Sequence, residues 1–416
     1  MIFIANVLTM NGGTTFLIRV CREFHRRGFN VMVLVLFPLV DATLRDELAR
    51  YAKIFDLKDY LWENGKLFRV QLMTFAPVRW SKLLADLNPY GTTVHVMGVF
   101  GLLFACRTAY RQPLLRVTAG VYHQNEYLFK AGNNFFVKIF RKCFTSLNPK
   151  HILFFNEANI INYSKFFGRD FSSSILAPIG IDIPKSTAKF KENSVLARLV
   201  SVGNLVNFKT YNRHIIGVVA ELADKHPLLH YEIYGVGAEE QSLREVAQRL
   251  HVQDRVKFKG QIPYSEFANT VSHATVFIGS GTSLLEAAAL GVPALVGIES
   301  MQEAETYGFL SDIKGLSYNE IMPEILRLPM LGVIDRLLSD EAVAEKVSVA
   351  CKKKANEFSV EATVDGFVIL VKNATYSSLT LKPIYVIYLA FSFTCIAVAE
   401  RFGLSSGFRN RRNQSY

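Results

Sequence analysis

The sequence is poor in cysteine and contains no close pair of cysteines. Its 416 residues include five, which are scattered along the chain: Cys21, Cys106, Cys143, Cys351 and Cys395. This pattern argues against a disulfide framework or a structural zinc site, and it fits a reducing cytosol. Linkers rich in Gly, Ser or Pro, low-complexity blocks and internal repeats are also missing, so we expect no disorder before the C-terminal tail.

The body of the chain also lacks dense runs of Lys and Arg, RNA-binding aromatic signatures and zinc fingers. The net charge of +11 nevertheless indicates anionic partners, for which nucleic acid, nucleotide phosphates and membrane lipid are the candidates. Without those motifs, nucleic acid ranks last. The sequence opens on an apolar run with no basic leader or small-residue cleavage site, so we expect no secretory signal.

The length and composition favour two domains, because half of the residues are hydrophobic and both halves can bury a core. Apolar runs alternate with helical segments throughout, which predicts the α/β class with two doubly wound parallel sheets. The strand candidates of the first half are residues 2–8, 31–37, 67–72, 92–97, 115–118, 152–155 and 174–177. Those of the second half are residues 199–203, 231–235, 256–258, 275–278 and 294–297.

A domain boundary is predicted where Pro and Gly cluster and the periodicity lapses, at residues 178–184 and the polar residues that follow. We therefore expect an N-terminal domain over residues 1–185 and a C-terminal domain over residues 186–365. A closing helix and an apolar, basic tail would occupy residues 366–416.

The tail differs in kind from the rest of the chain. Residues 383–399 carry no charged side chain, and Arg401, Arg409, Arg411 and Arg412 follow. As a helix this stretch spans roughly 25 Å, short of the ~30 Å hydrocarbon core, so a tilted, re-entrant or interfacial helix fits at least as well as a full crossing. We favour membrane contact over a buried closing helix, because a chain end has few neighbours to cover so much apolar surface.

A second membrane candidate is the segment over residues 135–147. On a helical wheel its apolar residues cover one half, while Lys138, Arg141 and Lys142 share an arc on the other. Such a helix lies either on anionic lipid or against the core with a solvated basic back. The sequence leaves both interpretations open.

The stretch over residues 276–289 predicts an anion-binding turn. It reads as a short strand, a turn containing Gly281, and a helix that begins near Thr282 or Ser283, whose side chains can cap it. Glycine lets backbone approach a phosphate, and a helix start supplies amide groups and a positive dipole end. Glu286 lies about one turn into the helix, where it can accept hydrogen bonds from sugar hydroxyls. The alternative is an ordinary strand-to-helix turn.

Three further turns follow strands in this half of the chain. The first contains Gly203, Asn204 and Lys209, the second contains Gly235 and Gly237, and the third covers residues 258–263. Because the carboxyl ends of parallel strands meet at one edge of a sheet, these loops predict a nucleotide cleft with one lysine. In the first half, the glycine-rich loop over residues 9–15 is not GxGxxG, so a dinucleotide site is disfavoured.

These motifs resemble glycosyltransferase family 4, whose members have the GT-B fold of two Rossmann-like doubly wound domains facing a cleft. The resemblance lies in VGNLVNFK from Val202, in the stretch from Tyr231 to Phe267, and in GTSLLEAAALGVPALVG from Gly281. PIGIDI at 178–183 is similar to the interdomain turn, NGG at 11–13 to the first glycine-rich loop, and FSVEATVDGF at 358–367 to the closing segment.

The resemblance implies transfer of a sugar from a nucleotide diphosphate sugar with retention of configuration and without a metal or other cofactor. Lys209 matches the lysine that holds the diphosphate, and Gly13 matches first-domain backbone near the phosphate and sugar. Glu286 matches the glutamate that binds ribose, and Thr282 and Ser283 match the helix start beneath the phosphates. A lysine and a helix N-terminus can stabilise the charge that grows on a leaving diphosphate. The sequence also contains no Asp-x-Asp pair.

Two positions depart from the family pattern. Asn204 stands where relatives usually have an arginine, and Ile278 stands eight residues before Glu286, where relatives usually have a glutamate that faces the donor sugar. Three carboxylates after the next strand could replace that glutamate: Glu299, Glu303 and Glu305. We favour a solvated acidic loop for them.

His123 follows a first-domain strand, and a histidine near this place reaches the transferred sugar in relatives. A buried structural role is the alternative for His123. Glu126 is a candidate partner or acceptor base, whereas His95 is interpreted as packing.

The sequence therefore predicts a glycosyltransferase of the hexosyltransferase type, with His123 and Lys209 as catalytic candidates. We expect it to elongate a glycan, lipid-linked or free, at the cytoplasmic face of an anionic membrane during cell-envelope polysaccharide synthesis. The alternatives are a catalytically inactive GT-B protein at the membrane, and a UDP-sugar epimerase of the same architecture.

Overall fold

The computed structural model describes residues 1–62, 70–128, 134–184, 197–322, 324–376 and 379–404. The chain forms two compact units. One comprises Met1–Gly180 together with the chain from Val360 onward, and the other comprises Ile181–Ser359.

The first unit is built on a parallel sheet. Within the described residues the sheet has seven strands, in the order β3-β2-β1-β4-β5-β6-β7. The strands are β1 (Ile2–Ala5), β2 (Met32–Val35), β3 (Lys53–Asp56), β4 (Thr93–Met97), β5 (Arg116–Val121), β6 (Ile152–Phe154) and β7 (Ile175–Leu176). The strand order reverses between β1 and β4, which is the Rossmann-like arrangement.

Helices cover both faces of this sheet, and two separate apolar clusters form its core. The helices that precede residue 180 are α1 (Gly12–Arg26), α2 (Ala42–Ala49), α3 (Trp80–Leu87), α4 (Val99–Arg111), α5 (Phe135–Thr145) and α6 (Glu157–Phe167). The strands read as continuous apolar runs because both of their faces are buried.

The second unit repeats the plan with a smaller sheet. In the described part of this unit the strand order is β10-β9-β8-β11-β12, all parallel, with a separate antiparallel pair of β13 and β14. The strands are β8 (Arg198–Val202), β9 (His230–Tyr234), β10 (Val256–Gly260), β11 (Val276–Gly279), β12 (Ala294–Val296), β13 (Glu305–Thr306) and β14 (Leu328–Pro329). The helices are α7 (Tyr211–Leu222), α8 (Glu240–Arg249), α9 (Phe267–Val271), α10 (Thr282–Ala289), α11 (Met330–Ser339) and α12 (Glu341–Ala355).

The predicted alternation of strands and helices is confirmed, with three differences. One is that the short strands β13 and β14 were not predicted. Val70–Phe75 is a 3₁₀ helix rather than part of the predicted strand 67–72, and residues 67–69 lie outside the described residues. Strand β3 was not predicted. Its ends are Lys53 and Asp56, and Asp56 accepts two hydrogen bonds from Arg45, so polar side chains mask the short apolar run.

The chain leaves the first unit after residue 180 and returns to it at residue 360, rather than changing domain at 185 and 365. Helix α13 (Val360–Asn373) packs on α1, where the Phe367 ring contacts Phe3 and Phe24. A Cβ atom at Gly180 would lie 2.6 Å from the Val360 Cα, and the Thr363 hydroxyl donates to the Pro178 carbonyl at 2.8 Å. This close packing joins the point where the chain leaves the first unit to the point where it returns.

The last described helix, α14 (Pro383–Arg401), is apolar on two sides. One stripe is buried against the first unit: Val386, Leu389, Phe393 and Ile396. Ile387, Tyr388 and Phe391 remain exposed, with 64%, 53% and 70% of their surface accessible. Among the described helices α14 alone is long and apolar enough to cross a membrane, although length and composition are weak evidence that it does.

Helix α5 lies beside α14 and uses its apolar face in the core. Phe136 and Phe140 are fully buried, and the Phe136 amide donates to the Ser392 hydroxyl at 3.1 Å. The apolar face of residues 135–147 therefore packs inward, while Lys138 and Lys142 are exposed.

Candidate functional site

The loops that follow β8, β9 and β10 are joined by backbone hydrogen bonds at the carboxyl edge of the second sheet. The Gly203 amide donates to the Tyr234 carbonyl at 2.9 Å, and the Gly235 amide donates to the Gly260 carbonyl at 2.8 Å. The Leu205 amide donates to the Val236 carbonyl at 3.0 Å. Successive strand ends therefore meet at one edge, as parallel topology requires.

Two glycines in these loops are needed for close backbone packing. A Cβ atom at Gly235 would overlap the Gly203 carbonyl oxygen, and one at Gly237 would lie 2.6 Å from the Leu205 carbonyl carbon. Real Cβ contacts do not approach so closely, so neither position has room for a side chain. The donor-binding role of these glycines stays a prediction, and the structure gives them a role in close backbone packing.

Lys209 lies at the end of the first of these loops, just before α7. Its amide donates to the Val206 carbonyl at 3.0 Å, and a Cβ atom at Gly203 would lie 2.6 Å from its ammonium nitrogen. The side chain lines a polar cavity of about 340 Å³ together with Arg213 and His214. The lysine is thus held against the glycine loop at the edge of the sheet. The same cavity is lined by Glu239, which lies 3.9 Å from Arg213, and burial lowers the pKa of His214.

The turn between β11 and α10 presents a helix N-terminus at the same edge. Gly281 has a φ of +66°, which favours glycine, and α10 begins at Thr282 as predicted. The prediction that Ser or Thr caps this helix is wrong. Gly281 is the cap residue, no capping side-chain hydrogen bond is seen within this described segment, and the Ser283 hydroxyl instead donates to the Ser280 carbonyl at 3.3 Å.

Glu299 connects this turn with the lysine loop. Its Oε1 accepts a hydrogen bond of 2.8 Å from the buried Ser280 hydroxyl. Burial raises the pKa of Glu299, while the Ser280 hydroxyl and the Lys209 ammonium act in the opposite direction. Lys209 and the Gly281 turn therefore lie on the same side of the second unit.

The interpretation of all three carboxylates as a solvated loop is wrong for Glu299, which is partly buried. It holds better for Glu303, which is exposed. Glu305 forms an ion pair with Arg327 at 3.2 Å.

Glu286 lies on the first turns of α10 with 9% of its surface exposed, and it accepts a hydrogen bond of 3.2 Å from the Tyr264 hydroxyl. At the two departures from the family pattern, Asn204 is exposed and Ile278 is fully buried in β11. A side chain at position 278 points into the core and cannot reach a ligand.

In the first unit, the predicted residues lie at the carboxyl edge of its own sheet. Gly13 is the second residue of α1, whose N-terminus is capped by the Asn11 side chain. The half-buried His123 accepts a hydrogen bond of 3.1 Å from the Asn125 amide. A Cβ atom at Gly98, directly after β4, would lie 2.7 Å from a Glu126 carboxylate oxygen, so Glu126 is also at this edge.

His95 is a packing residue, as expected. Its ring nitrogens pair with the Thr118 hydroxyl at 3.1 Å and the Tyr122 hydroxyl at 2.8 Å, and it has no exposed surface. Burial lowers the pKa of His95 to about 3, which keeps the ring neutral.

Among the described residues, no three His, Cys, Asp or Glu side chains are grouped so that they could hold a metal ion. Sequence reasoning missed the contacts of Ser280 and Tyr264. The only signal for them was that Ser280 lies in the turn after a predicted strand and that Tyr264 follows the predicted turn over residues 258–263.

Comparison with known proteins supports the fold. Residues 182–303 match the family model of glycosyl transferases group 1. An uncharacterized glycosyltransferase of Haemophilus influenzae is 27% identical over 184 residues, which is 40% of this chain. The chain spans half of the length of this curated relative.

Solved structures resemble nearly the whole chain at low sequence identity. Anabaena HepE in complex with UDP has a TM-score of 0.62 at 13% identity, covering 88% of this chain and 97% of HepE. HepE in complex with UDP-glucose has a TM-score of 0.60 at 14% identity, covering 89% of this chain and 98% of HepE. WaaG, a glycosyltransferase involved in lipopolysaccharide biosynthesis, has a TM-score of 0.56 at 13% identity, covering 88% of this chain and 98% of WaaG. The chain thus has the GT-B fold, and the family match and fold together support a GT-B glycosyltransferase.

Proposed function

We propose that the protein is a retaining glycosyltransferase of the family 4 type, which moves a hexose from a nucleotide diphosphate sugar to a growing glycan. One observation carries the proposal: Glu299 contacts Ser280 and lies within electrostatic reach of Lys209, so the lysine and the N-terminus of α10 share one edge of the second unit. HepE binds UDP and UDP-glucose, which supports a nucleotide-sugar donor here.

In this proposal the second unit holds the donor. The Lys209 ammonium and the first amides of α10 bind the diphosphate, whose oxygens gain charge as it departs. Glu286 accepts hydrogen bonds from the ribose hydroxyls. The bond between the sugar carbon and the diphosphate oxygen breaks, and a bond to the acceptor oxygen forms on the same face. The acceptor proton passes to the departing phosphate oxygen, and no metal takes part.

The first unit has its own polar groups at the carboxyl edge of its sheet. Gly13 lies at the start of α1, where backbone amides favour an anionic or polar ligand. His123 and Glu126 share one turn at the carboxyl edge of the first sheet, and we assign them to contacts with the transferred sugar or the acceptor hydroxyl.

The central experiment measures donor binding and sugar transfer for the wild type, Lys209→Ala and Lys257→Ala. Lys257 is an exposed lysine on β10 and provides the matched control. With UDP-glucose as the first donor and membrane lipid extract as acceptor, we expect Lys209→Ala to lower the transfer rate by about 10²–10³-fold, the usual cost of one transition-state donor. Undiminished transfer by Lys209→Ala would refute the assignment.

A second candidate function is a catalytically inactive nucleotide-sugar-binding protein. It is favoured by Asn204 and Ile278, which stand where the family pattern has an arginine and a glutamate. Thermal stabilisation by a nucleotide sugar, with neither transfer nor hydrolysis in the presence of any envelope lipid acceptor, would select this function.

We further propose that the acceptor is lipid-linked and that the protein works at the cytoplasmic face of a membrane. The exposed apolar side of α14 runs beside α5, whose Lys138 and Lys142 are exposed, and α14 ends at Arg401. Since the opposite stripe of α14 packs on the first unit, we expect the helix to lie in the interface and not to span the bilayer.

Vesicle flotation tests this placement. Phe391→Asp removes the most exposed large side chain within α14, and Leu326→Asp changes a comparably exposed leucine of the second unit. Burial of a phenylalanine contributes about 1.5–3 kcal/mol, so Phe391→Asp should weaken binding to anionic vesicles at least tenfold. Leu326→Asp should leave it unchanged. Equal binding by all three proteins would refute the placement.

A further inference from the structure

Glu299 is held at the carboxyl edge of the second sheet by contacts on several sides. It follows β12, the neighbour of β11, so it stands next to the turn that begins α10. Its amide donates to the Asn319 carbonyl at 3.0 Å, and its Oε1 accepts from the Ser280 hydroxyl at 2.8 Å. The carboxylate is therefore fixed in place, unlike the exposed Glu303.

The residue after Glu299 has an uncommon backbone conformation. Ser300 has a φ of +61°, in the left-handed region that non-glycine residues rarely adopt. Its amide donates a 2.7 Å hydrogen bond to the carbonyl of Phe208, the residue before Lys209. The strained turn thus ties the Glu299 segment to the lysine loop, and such strain tends to persist where the surrounding structure fixes it, commonly at ligand sites.

A second carboxyl group lies nearby. Glu320 is buried, and burial together with the Glu299 charge raises its pKa to about 7. Two carboxyl groups, Glu299 and Glu320, therefore lie close to each other. A ligand that brought a further negative charge beside these two carboxyls would be disfavoured, whereas neutral hydroxyls can donate to Glu299.

We propose that Glu299 accepts hydrogen bonds from hydroxyl groups of the donor sugar, replacing the glutamate that Ile278 displaces, and that it selects a neutral hexose over a uronic acid. The inference rests on the proposed function, because it places the sugar next to a diphosphate bound by Lys209. The inference goes beyond the proposed function because it names the residue that recognises the sugar and the charge class of that sugar.

The experiment compares the binding of UDP, UDP-glucose and UDP-glucuronate to the wild type, Glu299→Gln, Ser280→Ala and Glu303→Gln by calorimetry. The Gln substitution keeps the shape of the side chain and removes its charge, and Glu303→Gln is the matched control at an exposed position. We expect Glu299→Gln to bind UDP within about twofold of the wild type but to lose about tenfold or more of the added affinity for UDP-glucose, as for a hydrogen bond to a charged group. Discrimination against UDP-glucuronate should fall by a similar factor.

Ser280→Ala removes the hydroxyl that orients Glu299, so it should produce a smaller loss of the same kind. It also provides a second variant if Glu299→Gln does not fold. An equal loss of UDP and UDP-glucose affinity in Glu299→Gln would mean that the carboxylate merely positions Lys209, and this would overturn the inference, as would unchanged affinities. Failure of the wild type to bind UDP and both UDP-sugars would overturn the proposed donor site itself, which is a distinguishable result.

Discussion

Replacing Gly235 by alanine should destabilise the second unit and displace the lysine loop. The added Cβ atom would overlap the Gly203 carbonyl oxygen and lie 2.9 Å from the carbonyl carbon. Overpacking of this kind costs about 1–3 kcal/mol. Gly235 also has a φ of +148°, where a side chain adds strain of about 1 kcal/mol.

The expected total is about 3 kcal/mol, which for a domain of this size lowers the midpoint of thermal unfolding by about 6–12 °C. Because the strain is relieved by moving residues 203–205, the donor-binding loop should move too, and nucleotide-sugar affinity should fall. Circular dichroism melts and calorimetric titration with UDP-glucose measure the two effects.

Gly332→Ala is the matched control. Gly332 lies on the exposed side of α11, where an added Cβ atom meets nothing within 4 Å. Alanine in a helix is favoured over glycine by about 1 kcal/mol, so this variant should melt slightly higher than the wild type. A Gly235→Ala protein that melts within 1 °C of the wild type and binds UDP-glucose equally well would refute the argument from backbone packing.

Two other predictions concern pH and metal ions. The pKa of His95 is about 6.5 in the unfolded chain and about 3 in the folded protein. As the pH falls below 6.5, only the unfolded state therefore gains this proton. The free energy of unfolding consequently rises with pH in this window. When the pH is lowered from 7.5 to 5, the free energy of unfolding of the wild type, measured by urea titration, should therefore fall by about 2 kcal/mol more than that of His95→Gln. An equal dependence on pH in the two proteins would contradict this prediction. Transfer should keep its rate within about twofold in excess EDTA, since Lys209 and the α10 amides are proposed to stabilise the diphosphate, and a loss restored by Mg²⁺ would contradict that role.

Much of the fold follows from local sequence patterns. Strands β1 and β11 are buried along their whole length, so they stand out in the sequence as short continuous apolar runs. The start of α10 at Thr282 was predictable because Leu, Glu and Ala propagate a helix after a glycine turn.

The remaining features depend on contacts between distant parts of the chain. The orientation of Glu299 follows from hydrogen bonds that its segment makes to Asn319 and Phe208, which no local pattern encodes. The capping role of Gly281 was missed because serine and threonine are the usual cap residues. The return of the chain to the first unit depends on Gly180 and Val360, which are far apart in the sequence and meet only in the folded unit.

The return of the chain to the first unit at Val360 has a consequence for biosynthesis. The ribosome completes all of Ile181–Ser359 before it makes the helix that covers Phe3 and Phe24. Domains usually mature in the order of their translation, but here the inserted domain can finish first while its host still waits for its final helices. A nascent chain that stalls before residue 360 would therefore present an uncovered aromatic surface to chaperones and proteases.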